Sequence, residues 1–452
     1  MKTIFEVSKS GLYSAERALS VTANNVINAD TPGYSRQRLE TAPVGQHMHG
    51  YHAGLGVNVA GITRLRNELA DIQLNDKRQQ MGYMQEKEKI LEQLESSLAT
   101  DSGGDLDVQL GRLFDTFSEL SNDPQDLSVR NNLVGEARQL TEKLGDLSRN
   151  LDRVSDITRD SITSNIRQIN DLLQDLASLN KSITTAQAMG QPDHTSLDLQ
   201  VKKLEDLSNL VNIDTSVVEN GSLQIHIGGV QVLHEDTYRK LVPDNDDVLK
   251  TYGVHLENGT EIKPSGGGLA AGIEMYESEV PGMKGRLDQI AETMVNEVNA
   301  LHASGYGLED NVHRDFFDPA GVTAATMRLN EEIVHNHKHI AASSVEFEAG
   351  NGQIAADMAE LRNRQLIEGR KMIDYAVDTI SSAGSDLSRL RNTMETRESE
   401  IRMLEVQQER EAGVNIDEEL SLMIQYQNAY QGAARVMASA QQMMDTLISL
   451  VR

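Results

Sequence analysis

Cysteine and tryptophan are absent from these 452 residues, and aromatic residues together make up only 4% of them. Without cysteine, the chain has no disulfide framework, no thiolate zinc site and no cysteine nucleophile. Few aromatics beside plentiful Ala, Leu, Gln and Glu are typical of long helices and coiled coils rather than of compact enzyme cores. We therefore expect an extended, helix-rich molecule of roughly two to four domains.

Basic residues are also few: 42 Lys and Arg stand against 69 Asp and Glu, which gives a formal net charge of −27. This charge disfavours phosphate backbones and anionic membrane surfaces as partners. No stretch approaches 18 consecutive apolar residues, and the start shows no apolar core followed by a small-residue cleavage site. We therefore expect a soluble chain with no nucleic-acid partner, no membrane insertion and no cleavable secretory signal.

A short helical pattern comes first, followed by a turn. Its apolar seam has the alternating spacings of 3 and 4 residues of a coiled coil and consists of Leu12, Ala15, Leu19, Thr22 and Val26. The stretch Asp30-Thr31-Pro32-Gly33 then predicts a type II turn, because Pro presets φ and Gly accepts a positive φ. Residues 34–62, with many Gly and His, predict an extended loop or short strands.

Long helical patterns fill most of the middle of the chain, over 64–99, about 106–121, from Asp123-Pro124 to about 183, 282–303 and 352–408. The third has the strictest seam, which slips by one residue after Val154 as a stutter does. Its members are Leu133, Ala137, Leu140, Leu144, Leu147, Leu151, Val154, Ile162, Ile166, Ile169, Leu173, Leu176 and Ile183. Helices this long need long partners, so those before and after residues 212–280 are expected to pair.

The pattern changes to a period of two after about residue 212. Asn220-Gly221, Gly228-Gly229 and Asn258-Gly259 interrupt short apolar alternations, which is a strong signal for β-hairpins. We therefore predict a mainly α fold with a β insertion. The terminal coiled-coil module would comprise 1–62 plus 411–452 and the long-helix bundle 63–211 plus 281–410. The inserted β domain, 212–280, would cap the far end.

The last segment is again an amphipathic helix. Asn415 is a plausible N-cap, with Glu418 three residues later as in a capping box. The apolar seam runs through Ile416, Leu420, Met423, Gln427, Tyr430, Ala434, Met437, Gln441, Met444, Ile448 and Val451. Both ends of the chain therefore carry apolar stripes that need a partner, either each other or a neighbouring molecule.

Several residues suggest chemistry but have simpler interpretations. His335, His337 and His339 would share one face of a strand and could bind a metal, but a solvated loop or edge explains the same alternation. His47, His49 and His52 lie in a Gly-rich stretch. Asp315 and Asp318 lie in a polar connector, and Gly266–Gly268 lacks the Lys and Ser or Thr of a P-loop. We predict no catalytic, cofactor or metal residue.

Two stretches resemble a known family. ANNVINADTPGYSRQ, residues 23–37, resembles the N-terminal signature of flagellar axial proteins, in the form found in hook-associated proteins of the hook–filament junction. LSLMIQYQNAYQGAARVMASAQQMMDTLISL, residues 420–450, resembles the C-terminal helix of the same family. Rod and hook proteins usually lack the Pro and the Ser-Arg-Gln, and commonly have Ala-Gln-Arg in place of Tyr426-Gln427-Asn428.

The resemblance implies a structural flagellar protein without enzyme activity or cofactors, exported unfolded by the flagellar type III apparatus. It implies terminal helices that are disordered in the monomer and form an inner tube on assembly, in a homo-oligomeric ring. It also implies contacts with the hook protein FlgE, the second junction protein FlgL and, at the C-terminal helix, the export chaperone FlgN. The alternatives are a hook or distal rod subunit and an axial protein with a hydrolytic insertion.

The candidate assembly residues come from both ends of the chain. We predict that Leu12, Leu19 and Val26 pack on the C-terminal seam within and between subunits. Residues 22–38 are the predicted hinge between the terminal module and the bundle, and its Asn residues either orient it or simply end the helix. The Tyr and Arg that follow either touch a neighbouring subunit or lie in a solvated loop. The full set is Leu12, Leu19, Val26, Asn24, Asn25, Asn28, Pro32, Gly33, Tyr34, Arg36, Leu420, Met423, Tyr430, Met437, Met444 and Ile448.

Overall fold

The computed structural model describes residues 2–31, 33–48, 51–98, 106–218, 220–246 and 251–451. Pro32 and His49 lie outside them. The helices are α1 Lys2–Ile27, α2 Glu68–Leu98, α3 Leu106–Asn122, α4 Leu127–Ala188, α5 His194–Leu210, α6 Gly267–Glu274, α7 Val280–His302, α8 Glu331–His335, α9 Gln353–Glu360, α10 Met372–Ala412 and α11 Ile416–Val451. The strands are β1 Gln37–Met48, β2 Tyr51–Arg64, β3 Asp214–Val217, β4 Leu223–Ile227, β5 Val230–His234, β6 Thr237–Tyr238, β7 Leu241–Asp246, β8 Thr251–Leu256, β9 Glu261–Ile262, β10 Gln365–Ile367 and β11 Arg370–Lys371. The fold is mainly α with a β insertion, as predicted.

The 62-residue helix α4 organises the molecule. Asp126 caps its start by accepting a hydrogen bond from the Ser128 N–H at 2.6 Å. All thirteen residues of the predicted seam are buried. At the slip in the seam lies Thr158, fully buried, whose hydroxyl donates to the Val154 carbonyl at 2.8 Å. A polar residue therefore lies at the slip in the seam, and its hydroxyl makes its hydrogen bond within the helix.

Two hydrophobic cores follow one another along α4. The first joins its first half, up to Val154, to α2, α3, α7, α9 and α10. The second joins Ile162 to Ala177 to α5 and to the strands of the insertion. The helices before and after the insertion therefore pair, as predicted. The division into a helix bundle (63–211 plus 281–410) and a separate β domain (212–280) stays a prediction. The second core contains residues from both parts and so crosses the boundary between them.

The insertion forms two antiparallel sheets, with strand orders β3-β4-β5-β6 and β7-β8-β9. The predicted turns are present, with positive φ at Gly221, Gly228, Gly229 and Gly259. The insertion was predicted to lie at the end of the bundle opposite the chain termini, and this position is wrong, because the strands need a helix surface to bury their apolar faces. They lie along the second half of α4, where Asn180 binds the backbone of Leu223.

Two other expectations need correction. The helix predicted over 352–408 is interrupted by the β10–β11 hairpin, whose turn has positive φ at both Glu368 and Gly369. In place of a loop with short strands, Gln37–Met48 and Tyr51–Arg64 form two long antiparallel paired strands, β1 and β2, which we call the β1–β2 hairpin. This hairpin packs against α1.

The end of the bundle opposite the chain termini, called the far end below, contains α3, α9 and the connection between α7 and α9. There His302 is fully buried, bonded through Nδ1 to the Arg314 carbonyl at 2.7 Å and through Nε2 to the Ala341 N–H at 2.9 Å. Nδ1 therefore carries the proton, and the neutral ring satisfies both neighbours. Burial, together with the positive charges of Arg130 and Arg314, lowers the pKa of His302 to about 4.

This lowered pKa predicts acid sensitivity of the far end. Between the ordinary pKa of 6.5 and about 4, the unfolded chain binds more protons at this site than the folded one does. The stabilisation is therefore complete above 6.5 and falls by up to ~3 kcal/mol as the pH drops to 4.

The test compares the wild-type chain with His302→Gln in urea unfolding from pH 7.5 to pH 4. We expect the difference in unfolding free energy between the two to shrink as the pH falls. The exposed Met189, which follows α4, supplies the control Met189→Gln; it changes no titrating group, so its difference should stay constant. A constant difference for His302→Gln would contradict the prediction.

Candidate assembly interface

The two chain ends form an antiparallel helix pair. The Asn25 side chain near the end of α1 donates to Glu419 near the start of α11 at 3.0 Å. Halfway along, Gly11 faces Ala433 so closely that an added β-carbon would lie 3.5 Å from the Ala433 Cβ. In this register the last turns of α11, from about Met443, extend past the start of α1.

Small and polar residues fill the contact between these helices. The buried residues of α1 are Ser8, Ala15, Ala18, Val21, Thr22 and Asn25, and those of α11 are Glu419 and Ala440. The predicted seam residues Leu12, Leu19, Val26, Met423 and Met437 are half-buried beside this contact. Small residues let the two backbones approach, so the larger apolar side chains lie at the edges, where a neighbour could cover them.

Much of the apolar surface of α11 remains exposed. Leu420, Tyr430, Met444 and Ile448 are between 41% and 59% exposed. We call the exposed apolar residues of this helix the α11 stripe: Ile416, Leu420, Ile424, Tyr430, Val436, Met443, Met444, Leu447 and Ile448. Soluble monomers rarely expose apolar surface on this scale, so the stripe marks a contact with another molecule.

Asn25 holds the chain where it leaves α1. Its side chain is 1% exposed and bonds both backbone groups of Gln37, donating to the carbonyl at 2.8 Å and accepting from the N–H at 3.0 Å. It also donates to Glu419 and accepts from the Tyr34 hydroxyl at 2.9 Å. Asn24 is exposed, and the Asn28 side chain bonds the Asn24 carbonyl at 2.9 Å. Asn25 therefore orients the hinge, while Asn28 ends the helix.

The turn after α1 fastens the hinge to α11. Gly33 has a φ of +82°, which favours glycine, and the Tyr34 N–H closes the turn on Thr31 at 3.1 Å. Arg36 donates from Nε to Glu419 at 2.7 Å and from NH1 to Glu418 at 3.0 Å. Glu418 therefore binds Arg36 instead of completing a capping box, while Asn415 caps α11 by accepting from the Asp417 N–H at 3.0 Å.

The Tyr34 phenol remains protonated in this joint. Burial raises the pKa of Tyr34 to about 12, and the carboxylates of Asp198 and Glu419 add to the effect. The phenol therefore stays a hydrogen-bond donor at any physiological pH. The Glu419 side chain is only 2% exposed, and its charge is balanced by Arg36.

A second set of polar contacts fixes this terminal module against the bundle. Arg64, at the end of β2, donates to Asp198 of α5 at 2.5 Å and to the Ser35 hydroxyl at 3.2 Å. Burial lowers the pKa of Arg64, although Asp198 counteracts it. Asn67 donates to Glu411 at 2.7 Å. Sequence reasoning missed Arg64 and Asp198, because they are 134 residues apart and neither lies in a recognisable pattern.

The other candidates have structural roles. His335 ends α8 and His337–His339 form a 3₁₀ turn, so the three side chains do not share a strand face. Asp318 accepts from Arg328 at 2.7 Å. A β-carbon at Gly267 would collide with Val211, so the Gly266–Gly268 run serves close packing. Among the described residues, no group of three or more His, Asp or Glu could hold a metal ion. None of the helices, within the described ranges, has the length and apolarity needed to span a membrane.

Comparison with known proteins places the chain in a family. The family model described as "Flagellar hook-associated protein FlgK helical domain" matches residues 91–317. The models "Flagella basal body rod protein" and "Flagellar basal body rod FlgEFG protein C-terminal" match residues 5–34 and 410–450. The second of these matches covers residues 420–450, and the first covers residues 23–34 of the stretch 23–37, so both overlap the stretches that resemble axial proteins.

Relatives matched over nearly their whole length agree with these matches. Flagellar hook-associated protein 1 of Bacillus subtilis is 24% identical over 98% of this chain and 97% of its own length. The protein of the same name from Salmonella typhimurium is 21% identical over the whole of both chains. The solved structure of the flagellar hook junction protein FlgK from Burkholderia pseudomallei has a TM-score of 0.65 at 12% identity, covering 74% of this chain and 99% of that one. That structure has the same fold. Because the helical-domain model covers half of the sequence, the chain belongs to the family of the flagellar hook-associated protein FlgK.

Proposed function

We propose that this chain is a structural adaptor of the bacterial flagellum that joins the hook to the filament. The observation that carries the proposal is the α11 stripe, which α1 of the same chain leaves exposed in a member of the hook-associated family. A rod or hook subunit is the rival. The match of residues 91–317 to the hook-associated helical domain favours the junction.

The exposed apolar surface of α11 supports a proposal for the partners, whose identities come from the family resemblance. We propose that copies of the chain form a ring through α1 and α11, with the hook protein FlgE on one side and the second junction protein FlgL on the other. The same stripe is suited to the export chaperone FlgN before secretion, because a helix with a Met-rich apolar face fits a complementary groove. The assembled protein would be extracellular, and we propose no enzymatic activity for it.

A surface variant tests the role of the stripe. Met444 and Ile448 are 44% and 59% exposed, so Met444→Glu with Ile448→Glu should change the unfolding free energy by less than ~0.5 kcal/mol. Incorporation into the axial structure should be lost, because two charges would face an apolar neighbour. The measurements are urea unfolding and immunogold labelling of flagella. Ser439→Glu with Gln442→Glu, two exposed positions of the same helix outside the seam and the stripe, is the control and should assemble.

A deletion strain tests the junction role itself. Cells lacking the gene should keep their hooks, shed flagellin into the medium and fail to swim, because filament subunits have no junction to add to. Restoring the wild-type gene should restore swimming. Normal filaments in the deletion strain would refute the junction role, and absent hooks would favour a rod or hook subunit.

A further inference from the structure

The far end displays an exposed aromatic residue that neither core explains. Phe347 is 85% exposed, whereas Phe114, Phe117, Phe316 and Phe317 are almost completely buried. The flanking Val312 and Val345 are 53% and 44% exposed. We call Val312, Val345 and Phe347 the far-end tip. Exposed aromatics grouped with other apolar side chains are the anchors that protein interfaces use.

The loop that carries the tip is firmly held. The Tyr306 N–H donates to the Ser343 carbonyl at 2.9 Å, and the Ser343 hydroxyl donates to the Val345 carbonyl at 2.6 Å. A hydrogen bond from Asn311 to Glu346 joins the two loops that supply the tip. The aromatic ring is therefore presented by an ordered loop, which lowers the entropy cost of binding.

Acidic residues flank the aromatic ring on both sides. Glu346 is engaged by Asn311, whereas Glu348 belongs to no salt bridge among the described residues. A complementary surface therefore needs room for one aromatic ring and a cation beside it.

The chain itself carries such a surface on the side of the bundle. A groove with a volume of about 750 Å³ lies between α7 and α10. Its walls include Gly282, Gly285, Arg286, Ser381, Ser382 and Ser385. A β-carbon at Gly282 or Gly285 would meet nothing within 4 Å, so no neighbour in the chain requires glycine there. An exposed glycine inside a helix lowers the stability of the helix by about 1 kcal/mol relative to alanine. No contact within one chain gives a reason for this loss at Gly282 and Gly285.

The groove also offers a cation. Arg370 pairs with Asp378 at 2.6 Å, and Arg389 pairs with Asp386. Arg286 has no salt bridge among the described residues; its guanidinium lies 3.4 Å from the Ser382 hydroxyl. Glu368 also lines the groove and would repel an acid placed next to it, so it restricts how an acidic loop can enter.

We propose that the far-end tip of one copy docks into the α7–α10 groove of a second copy, with Phe347 over the glycines and Glu348 paired with Arg286. The contact cannot form within one chain, because about 25 Å of helix α7 separates Gly285 from the far end. It joins two different surfaces, so repetition generates a ring or a helix of subunits. The contact adds to the proposed assembly through the terminal helices and does not depend on it.

The absence of cysteine allows a direct test by cross-linking. Full-length Arg286→Cys and Glu348→Cys chains, carrying tags of different size, are mixed and oxidised with copper phenanthroline. The oxidant takes two electrons as the two thiols lose their protons and form one disulfide. We expect at least ~10-fold more mixed dimer than from Arg286→Cys with Asp146→Cys, whose cysteine replaces an exposed acid of α4. Equal yields would overturn the proposal.

Association of the full chain in the Met444→Glu with Ile448→Glu background, where the terminal contact is removed, provides the second test and is measured by sedimentation velocity. Phe347→Ser should weaken it more than ~30-fold, and Arg286→Glu or Glu348→Arg about 10-fold each, with recovery in the double exchange. Gly285→Leu should block it while raising the unfolding free energy, because leucine favours the helix and a β-carbon there meets nothing within 4 Å. Unchanged association in Gly285→Leu would overturn the proposal.

The two proposals fail separately. The Met444→Glu with Ile448→Glu background removes the terminal contact, and there the cross-link between positions 286 and 348 should persist. A lost cross-link in that background alone would show that the groove contact needs the terminal helices, against the independence stated above. A strain with Phe347→Ser but normal junctions would refute the groove contact and leave the adaptor role standing.

Discussion

Asn25→Asp should lower the stability of the terminal module by ~3–5 kcal/mol, although it only replaces the side-chain amide nitrogen with an oxygen. The Asn25 amide donates to the Gln37 carbonyl and to the Glu419 carboxylate, which are 2.8 and 3.0 Å away. An oxygen in its place turns both attractions into repulsions, in a site that is 1% exposed. Hydrogen exchange of residues 34–38 and of the first turn of α11 should accelerate by more than 100-fold.

The pH dependence of this variant separates electrostatics from packing. A carboxyl introduced beside Glu419 has a raised pKa, because two close carboxylates resist ionising together. The loss of stability should be largest above that raised pKa and shrink as the pH falls towards 4, where a protonated carboxyl can again donate. Asn24→Asp, at an exposed neighbouring position, is the control and should change stability by less than ~0.5 kcal/mol. Equal effects of the two variants would contradict the prediction.

The arrangement at Asn25 recurs at three other helix positions. Asn170 binds both backbone groups of Leu241, Asn180 binds those of Leu223, and Asn299 binds those of Phe317. In each case a carboxamide from a helix completes the hydrogen bonding of an extended segment, as a neighbouring strand would. This chain therefore attaches its extended segments to helices by side-chain amides as well as by apolar contact.

Sequence patterns predicted the parts of the fold that periodicity controls. The α4 seam is correct in every residue because a long helix must bury one continuous stripe. The Gly turns of the insertion are correct because positive φ is nearly specific to glycine. The break between α9 and α10 was missed, since Glu368 adopts a positive φ that its residue type gives no reason to expect. The attachments at Asn170, Asn180 and Asn299 were missed because a buried amide and an exposed one look identical in sequence.

The candidate site was predictable in type rather than in detail. The sequence predicts an apolar seam along α11 that one shorter helix, α1, cannot cover completely. The exposure of the α11 stripe agrees with this prediction. The seam of α1 was predicted only in part: Ala15 and Thr22 are buried in the contact, whereas Leu12 and Leu19 are half-buried and Ala18, outside the predicted seam, is buried in their place. Close approach of two helices favours small residues, and hydrophobicity alone does not reveal that preference.

Asn180→Ala should destabilise the second core by about 3–4 kcal/mol, because four hydrogen bonds are lost in a fully buried place. The Asn180 amide donates to the carbonyls of Leu223 and Glu235, and its oxygen accepts from the Leu223 N–H and from Gln200.

Measurement of hydrogen exchange locates the effect. Exchange should accelerate in β4 and β5, which Asn180 attaches to α4, more than in β7 and β8, which Asn170 attaches. Lys181→Ala, the exposed next residue of the same helix, is the control and should leave exchange unchanged. A uniform acceleration through both sheets would mean that apolar packing on α4 holds the strands and that the amide is secondary. Selective loss in β4 and β5 requires the amide itself to fix where the first sheet lies along the helix.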